Sequence, residues 1–237
     1  MITVDGALRR LRGRFRVRPP VGFVRFGSLR RRRPISDDWG FDRGRPIDRT
    51  FIADFLGRHA GDIRGNVLEV AGNGYTRRFG TAVTLSDVID RRTDNPNATI
   101  VADLSRAPEI ADSTYDCVIV TQTLQYIYDI RAAVETLHRV LAPGGVALVT
   151  VPGITRISTF DASETGEFWH FTTWSARALF EERFPESHVE VVSFGDVLTA
   201  TAALYGLAAE DLRRPDLEHR DPTYQVLVTV RAVKELP

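Results

Sequence analysis

The stretch from Asn66 to Gly74 constrains the fold more than any other part of the chain. It reads Asn-Val-Leu-Glu-Val-Ala-Gly-Asn-Gly, so a short buried strand formed by Val67, Leu68 and Val70 runs directly into a glycine-containing turn. In an open α/β sheet, a ligand can approach bare backbone where such a strand stops. The acidic residue in the strand, Glu69, favours a ligand with positive charge, because a phosphate would prefer free N–H groups alone.

Length and composition predict one sizeable core. The chain has 237 residues, 43% of them hydrophobic, and no apolar run approaches the roughly 20 residues of a membrane-spanning helix. The single cysteine, Cys117, excludes an intramolecular disulfide and fits a reducing compartment. No apolar segment follows the N-terminal arginines, so we expect no signal peptide and a cytoplasmic protein.

The N-terminal segment differs in charge from the rest of the chain. Residues 1–33 contain eleven arginines and one acidic residue, Asp5. We therefore expect an arm over residues 1–33 and a domain over residues 34–237. The arm is either flexible or a handle for an anionic surface such as lipid or a phosphorylated substrate. No nucleic-acid-binding module accompanies it, so we do not expect a nucleic-acid partner.

Residues 34–49 combine turn formers, charges and two aromatic residues, Trp39 and Phe41. A loop of this composition usually packs on or covers another part of a protein. We expect it to form a lid over the ligand end of the sheet, with Trp39, Phe41, Asp48 or Arg49 at the pocket mouth. Asp48 is also the expected N-cap of the helix that follows.

Apolar segments alternate with helical ones along the remainder of the chain, which predicts a parallel sheet with right-handed crossovers. We see no internal repeat and no second core. The later predicted strands cover 82–86, 98–102, 115–121, 146–151, 188–194 and 224–233, and the predicted helices cover 48–61, 75–79, 130–141, 173–184 and 198–207.

The order of several motifs resembles class I S-adenosylmethionine-dependent methyltransferases. These motifs are the strand and turn at 66–74, Asp87, Asp103-Leu104, the strand 115–119, and the turn Leu-Ala-Pro-Gly-Gly at 141–145, which is the most specific. The resemblance covers residues 48–234. It implies one doubly wound, Rossmann-like α/β domain of seven strands in the order 3-2-1-4-5-7-6, with the last strand antiparallel. Residues 26–49 and 169–172 resemble a bacterial branch of the superfamily often found near glycosyltransferases.

The resemblance also implies a site for S-adenosylmethionine. The carboxylate of Glu69 would face the ammonium group of the cofactor, and the backbone of Ala71, Gly72, Asn73 and Gly74 would lie against its methionine part. The remaining implied contacts are Asp87, or else Asp90, with the ribose hydroxyls, Asp103 with the adenine amino group, Leu104 on the adenine ring, and Thr121 and Gln122 facing cofactor and substrate.

The turn departs from the family pattern at two positions. Ala71 replaces the first glycine and Tyr75 the third, and a residue bulkier than glycine restricts the backbone and its approach to a ligand. The crossover after Gly74 is also short. A scaffold protein that has lost the cofactor, a non-methylating cofactor-dependent enzyme and a plain strand-to-helix turn without a ligand therefore stay open beside a methyltransferase.

The predicted reaction is methyl transfer to a hydroxyl, or as a second choice an amine, of a small molecule or of a glycan or secondary-metabolite precursor. Two residues are candidates for the catalytic site. His170 lies in an aromatic loop and has the chemistry of a general base, although its position favours a packed histidine next to Trp169 and Trp174 over that role. Asp48 is the other candidate, with a helix cap as its structural alternative. The five histidines are dispersed, so no metal site is expected, and a homodimer is left open.

Overall fold

The computed structural model describes residues 19–158 and 166–237. The chain divides into two units, residues 1–33 and 34–237. In the first unit, the described residues contain a single turn of 3-10 helix, Gly27–Leu29. Four large apolar side chains of this unit are solvent-exposed: Val21, Phe23, Val24 and Phe26.

The second unit is built on one seven-stranded sheet with six α-helices among its described residues. The strands are β1 (Arg64–Val70), β2 (Ala82–Asp90), β3 (Ile100–Val101), β4 (Tyr115–Thr121), β5 (Leu141–Pro152), β6 (Val189–Phe194) and β7 (Leu227–Val233). The helices are α1 (Ile47–Arg58), α2 (Gly74–Phe79), α3 (Ile130–Val140), α4 (Thr173–Glu181), α5 (Val197–Leu204) and α6 (Arg214–Glu218).

The strand order is β3-β2-β1-β4-β5-β7-β6, which confirms the order expected from the resemblance. The first five strands pair in parallel, and β7 lies antiparallel between β5 and β6. Strands β1 to β3 are added toward one edge of the sheet, and the later strands, from β4 on, lie on the other side of β1. The strand order therefore reverses between β1 and β4. In doubly wound folds, such a reversal opens a crevice beyond the carboxyl ends of the two strands.

Helices cover both faces of the sheet. One core layer joins α3 and α4 to the sheet through residues such as Val134, Leu137 and Phe180. The other joins α1 and α5 through residues such as Phe51, Leu56 and Ala200. No helix in the described part of the chain is long and apolar enough to cross a membrane.

Several element boundaries differ from the sequence predictions, and three of the differences bear on the candidate site. β2 continues past Ser86 to Asp90, because Val88 and Ile89 are buried and pair with β1. Asp87 therefore lies inside the strand and does not close it. The N-cap of α1 is Pro46, so Asp48 lies in the first turn of the helix and is not its cap. The third strand has only two residues.

Candidate functional site

A cavity of about 760 Å³ lies beyond the carboxyl ends of β1, β2, β3 and β4. We call it the large cavity. Its walls combine apolar side chains with carboxylates, which suits a ligand that has both a flat apolar part and hydroxyl or amino donors. Its lining residues include Ala71, Asp90, Asp103, Leu104, Gln122 and Tyr126.

The turn after β1 reaches the large cavity through Ala71. Ala71 has a φ of 64°, the left-handed conformation that glycine adopts most easily. Its N–H donates to the carbonyl of Ile89 at 2.9 Å, which fixes the turn against β2. Gly72, Asn73 and Gly74 are not among the residues that line the cavity, and a Cβ added at either glycine would meet no atom within 4 Å.

Glu69 is buried, with 4% of its surface exposed, and its carboxylate holds the start of α2. Oε1 accepts from the N–H of Tyr75 at 3.1 Å, and Oε2 accepts from the N–H and the hydroxyl of Thr76, each at 2.7 Å. Burial raises the pKa of Glu69, and these hydrogen bonds oppose the rise. The sequence-based expectation that Glu69 faces a ligand is therefore corrected: its carboxylate is committed to α2 and lies off the cavity wall.

Asp90, the alternative to Asp87, is the acid of β2 that lines the large cavity. Its Oδ1 accepts from the N–H of Arg92 at 2.9 Å, and its Oδ2 accepts from the amide of Asn95 at 2.6 Å. The carboxylate of Asp87 instead accepts from the hydroxyls of Thr99 at 2.8 Å and Tyr115 at 2.9 Å, inside the sheet. Asp87 does not line the large cavity because β2 extends three residues beyond it.

Asp103 and Leu104 both line the large cavity. The Oδ1 of Asp103 accepts from the N–H and the hydroxyl of Ser105, each at 2.8 Å. This turn fixes the carboxylate and leaves Oδ2 available to a ligand donor. Leu104 is 6% exposed and packs in the core layer of α3, so it presents a fixed apolar surface.

A second cavity, of about 230 Å³, adjoins the first, and we call it the small cavity. Gln122 and Tyr126 line both cavities. Gln122 directly follows β4 with a φ of 49°, and its N–H donates to the carbonyl of Thr150 at 2.9 Å. This strained position turns Gln122 toward the boundary between the cavities. Thr121, by contrast, lines neither of them.

Residues 34–49 form one wall of the small cavity, and Trp39, Phe41, Asp48 and Arg49 all line it. The segment lies against residues 205–211: the N–H of Ile35 donates to the carbonyl of Tyr205 at 2.8 Å. Gly40, at a φ of 91°, packs so closely that an added Cβ would lie 2.9 Å from the carbonyl oxygen of Leu207. These contacts fix the segment on the domain beside the cavity.

Asp48 and Arg49 meet Tyr75 at this wall. The Nε of Arg49 lies 3.9 Å from the Oδ2 of Asp48, and Oδ1 accepts from the N–H of Arg49 at 2.7 Å. Loss of solvent raises the pKa of Asp48, and the charge of Arg49 opposes the rise. Burial likewise raises the pKa of Tyr75, against the hydrogen bond and charge of Arg49. Asp48 thus places a carboxylate with a raised pKa on the wall of the small cavity.

His170 is exposed and lines neither of the two cavities. It lines a separate cavity of about 340 Å³. Trp174, four residues later, is 82% exposed, so a histidine packed next to both Trp169 and Trp174 is not observed. Its Nε2 lies 3.1 Å from Oε1 of Glu167. The Glu167 side chain is 3% exposed, lines the small cavity and accepts from the N–H of Ser158 at 2.7 Å.

Sequence reasoning missed several residues of the small cavity, among them Gln125, Arg156 and Glu167. Gln125 lies in a single 3-10 turn, Leu124–Tyr126, and the other two lie outside helices and strands, so only the fold brings them together. Gln125 follows β4 closely, and this position at a strand end was the one available signal. Among the described residues, no group of three or more His, Cys, Asp or Glu is arranged to hold a metal ion.

Comparison with known proteins identifies a domain within the chain. Residues 66–149 match the family model described as a methyltransferase domain. A search of curated proteins finds no match to this chain. The matched segment contains β1 to β4 and most of β5, the part of the sheet that carries the large cavity.

Solved structures of low sequence identity share the fold. Phosphoethanolamine N-methyltransferase 2 of Haemonchus contortus, in complex with S-adenosyl-L-methionine, superposes with a TM-score of 0.53 at 15% identity. The match covers 78% of this chain and 52% of that enzyme, so this chain spans about half of its length. A methyltransferase of Archaeoglobus fulgidus gives a TM-score of 0.52 at 13% identity, with 78% and 94% of the two chains covered.

Proposed function

We propose that this chain, which carries a class I S-adenosylmethionine-dependent methyltransferase domain, methylates a hydroxyl of a small acceptor. The observation that carries the proposal is the pair of adjoining cavities that share Gln122 and Tyr126. The large cavity is suited to the cofactor, and the small cavity to the acceptor. Two reactants held in neighbouring sites react as if in one molecule, which alone lowers the barrier by several kcal/mol, up to roughly 7–11 in model systems.

The residues of the large cavity fit S-adenosylmethionine, the cofactor that the family match supports. Asp90 offers carboxylate oxygens to the two ribose hydroxyls, and the free Oδ2 of Asp103 suits the adenine amino group. Leu104 gives the adenine ring an apolar surface. The backbone at Ala71 lies at the methionine end. Once bound, the cofactor supplies an activated methyl group on a positively charged sulfur.

The lid segment 34–49 excludes water from the small cavity. Trp39 and Phe41 supply apolar surface, and Arg49 lines the same cavity beside Asp48. Exclusion of water favours the transfer, because charge is neutralised when a methyl group leaves a sulfonium. At about 230 Å³ the cavity holds a small molecule or the reacting end of a larger one, such as a glycan or secondary-metabolite precursor.

The carboxylates of the small cavity favour an oxygen over a nitrogen as the methylated atom. A hydroxyl must lose its proton, and Asp48, whose pKa is raised, is the acceptor at hand. An amine beside Asp48 and Glu167 would be held in its protonated form, which has no lone pair to attack the methyl group. An amine acceptor is therefore the second choice. His170 is not assigned a step, because it does not line the small cavity.

The direct test is incubation of the full chain with labelled S-adenosylmethionine and a panel of small alcohols, phenols and sugars. We expect label in an ether product, and a loss of about 10²-fold or more in kcat for Asp48→Asn. His170→Asn is the matched control and leaves kcat unchanged. Equal activity of D48N and the unchanged chain would refute the role of Asp48, and label found only in amines would refute O-methylation.

A scaffold protein that keeps the fold without the cofactor is the alternative, and the altered turn at Ala71 is the reason to test it. Calorimetry with S-adenosylmethionine and S-adenosylhomocysteine separates the two. Micromolar binding supports an enzyme, and no binding at millimolar cofactor supports the scaffold. Cofactor binding without any methylated product would favour a non-methylating reaction.

The proposal extends to the N-terminal arm, for which we propose an anionic lipid surface as partner. Four large apolar side chains, of which Phe23 is 73% exposed, stand beside the basic residues Arg25 and 30–33. Exposed aromatics next to a cluster of arginines are typical of segments that lie on acidic membranes. Sedimentation with vesicles tests this: we expect binding to vesicles containing phosphatidylserine, none to pure phosphatidylcholine, and none to either after Phe23→Ser with Phe26→Ser. Cytoplasmic location, bacterial origin and a homodimer stay predictions from the sequence.

A further inference from the structure

The small cavity contains two polar side chains with unfilled hydrogen-bonding capacity. Gln125 is 2% exposed, and its Oε1 has no hydrogen-bond partner among the described residues, although its Nε2 donates to Oε1 of Gln122 at 3.3 Å. The Nε of Arg156 is also buried, and the described part of the chain gives it no acceptor. Buried polar atoms are nearly always paired, so an orphan on a cavity wall indicates a ligand group that pairs with it.

The guanidinium of Arg156 is held in place without being neutralised. It lies over the ring of Trp39, 3.9 Å from the ring centroid, and its Nη2 donates to the carbonyl of Asp37. Stacking and this hydrogen bond fix the plane of the guanidinium. Arg156 forms no ion pair with a carboxylate of the residues that the structure describes, so its positive charge is uncompensated at the cavity wall.

The other cation of the small cavity, Arg49, lies beside Asp48. Two further acids line the cavity: Glu167, which interacts with His170 and with the N–H of Ser158, and Asp38. Among the described residues, Arg156 is therefore the cation of the cavity wall that an anionic ligand would meet without a carboxylate partner. A guanidinium presents parallel N–H donors, which match two oxygens of a carboxylate or a phosphate.

We propose that Arg156 and Gln125 form an anion-recognising subsite, and that the acceptor carries a carboxylate or phosphate close to its methylated hydroxyl. The inference rests on the proposed function, whose acceptor it specifies. Arg156 binds the oxyanion, and Gln125 accepts a hydrogen bond from a hydroxyl of the same molecule. Gln122, which holds Gln125 and lines both cavities, lies between this subsite and the cofactor site.

Paired probes test the subsite on the full chain loaded with S-adenosylhomocysteine. Lactate is compared with 1,2-propanediol, and glycerol 3-phosphate with glycerol, by calorimetry. We expect the anionic member of at least one pair to bind about tenfold or more tightly than its neutral partner. The two pairs distinguish carboxylate from phosphate.

Variants locate the effect. Arg156→Gln should remove the preference for the anion, and Arg156→Lys should keep part of it, because the charge remains while the Nε donor is lost. Arg214→Gln is the charge-matched control, since Arg214 is 90% exposed on α6 and lines neither cavity. Gln125→Met should weaken both members of a pair equally. Melting temperatures of all variants show whether each has folded.

Three results would overturn the inference: equal affinity within both pairs, an unchanged preference in R156Q, or no binding of either anion at roughly 10 mM. Its failure differs from failure of the proposed function. If S-adenosylhomocysteine binds and methyl transfer occurs without regard to the anionic group, only the subsite is wrong. If S-adenosylhomocysteine does not bind, the proposed function is wrong, and the same probes are then measured on the unloaded chain.

Discussion

Thr76 donates both its N–H and its hydroxyl to one carboxylate oxygen of Glu69, each at 2.7 Å. Glu69 belongs to β1 and Thr76 to α2, so the contact ties strand to helix across the turn. A six-residue helix is too short to be stable alone in water. Glu69 is therefore an internal anchor that gives the shortened crossover its shape, and this explains why its carboxylate does not reach the cavity.

The first prediction concerns the pH dependence of stability in Glu69→Gln. Because burial raises the pKa of Glu69 above its ordinary 4.5, the folded chain holds this proton more tightly than the unfolded chain. The free energy of unfolding therefore contains a stabilising contribution from Glu69. This contribution is fully present below pH 4.5 and is lost as pH rises through the pKa of Glu69 in the folded chain. Glutamine cannot ionise, so E69Q should lack this fall.

Urea unfolding of both proteins over this pH range measures the difference. Glu186→Gln, which removes an exposed carboxylate, should follow the unchanged chain. If E69Q and the unchanged chain keep parallel curves, the carboxylate of Glu69 is not desolvated in the folded protein.

The second prediction concerns Ala71→Gly. Ala71 has a φ of 64°, which costs an L-residue roughly 1–2 kcal/mol, whereas glycine adopts it freely but adds about 0.4–1 kcal/mol of unfolded-state entropy. We expect A71G to be neutral or more stable by up to about 1 kcal/mol. Ala178→Gly, in α4, is the control, and it should lower the free energy of unfolding by about 1 kcal/mol because glycine is unfavourable inside a helix. Thermal or urea unfolding measures both, and equal losses in the two variants would contradict the strain at Ala71.

The sheet could be predicted from the sequence because its signals are local. β4 was predicted at its observed bounds, and α3 within one residue, since their apolar patterns are long and end at clear signals. α4 begins at Thr173, where the sequence predicts a helix, and the preceding Thr172 caps it by accepting from the N–H of Ser175 at 3.1 Å. Strand order came from the resemblance and not from these patterns.

Cavity-lining residues could be predicted in the segment 34–49 and close to strand ends. Asp103, Leu104 and Gln122 lie within three residues of a strand end, and all three line a cavity. The end of β2 was misplaced because Asp87 interrupts its apolar run. A carboxylate is tolerated there since the hydroxyl of Tyr115, 28 residues away in sequence, donates to it. Such distant partners leave no local signal.

The third prediction separates the two acids of β2. Asp90→Asn should weaken binding of S-adenosylhomocysteine by about tenfold, because a hydrogen bond to a charged acceptor is worth roughly 1.5–3 kcal/mol and an amide is a weaker acceptor. Asp87→Asn should leave affinity unchanged and lower stability instead, since Asp87 accepts from Tyr115 and Thr99 within the sheet. Calorimetry and urea unfolding of both variants check this. Weaker cofactor binding in D87N at unchanged stability would return the ribose contact to Asp87.

The fourth prediction concerns the attachment of the lid, residues 34–49. The guanidinium of Arg43 donates to both carboxylate oxygens of Asp211, at 2.9 and 2.6 Å, and this hydrogen bonding holds the pKa of Asp211 below its usual range. The pair is partly exposed, so its loss should have little effect on the stability of the domain. We therefore expect Arg43→Gln to open the lid more often while the domain stays folded.

The expected signature is selective. In R43Q, the N–H groups of Arg43 and Gly44, which donate to the carbonyl of Gly40, should exchange hydrogen up to about fivefold faster, while amides of β4 stay unchanged. The KM of the acceptor should rise and affinity for S-adenosylhomocysteine should stay the same, because the lid lines the small cavity only. Arg213→Gln, which breaks a local pair on the surface with Asp216, is the control. A chain without residues 1–46 that folds and keeps full affinity and turnover would show that the segment does not act as a lid.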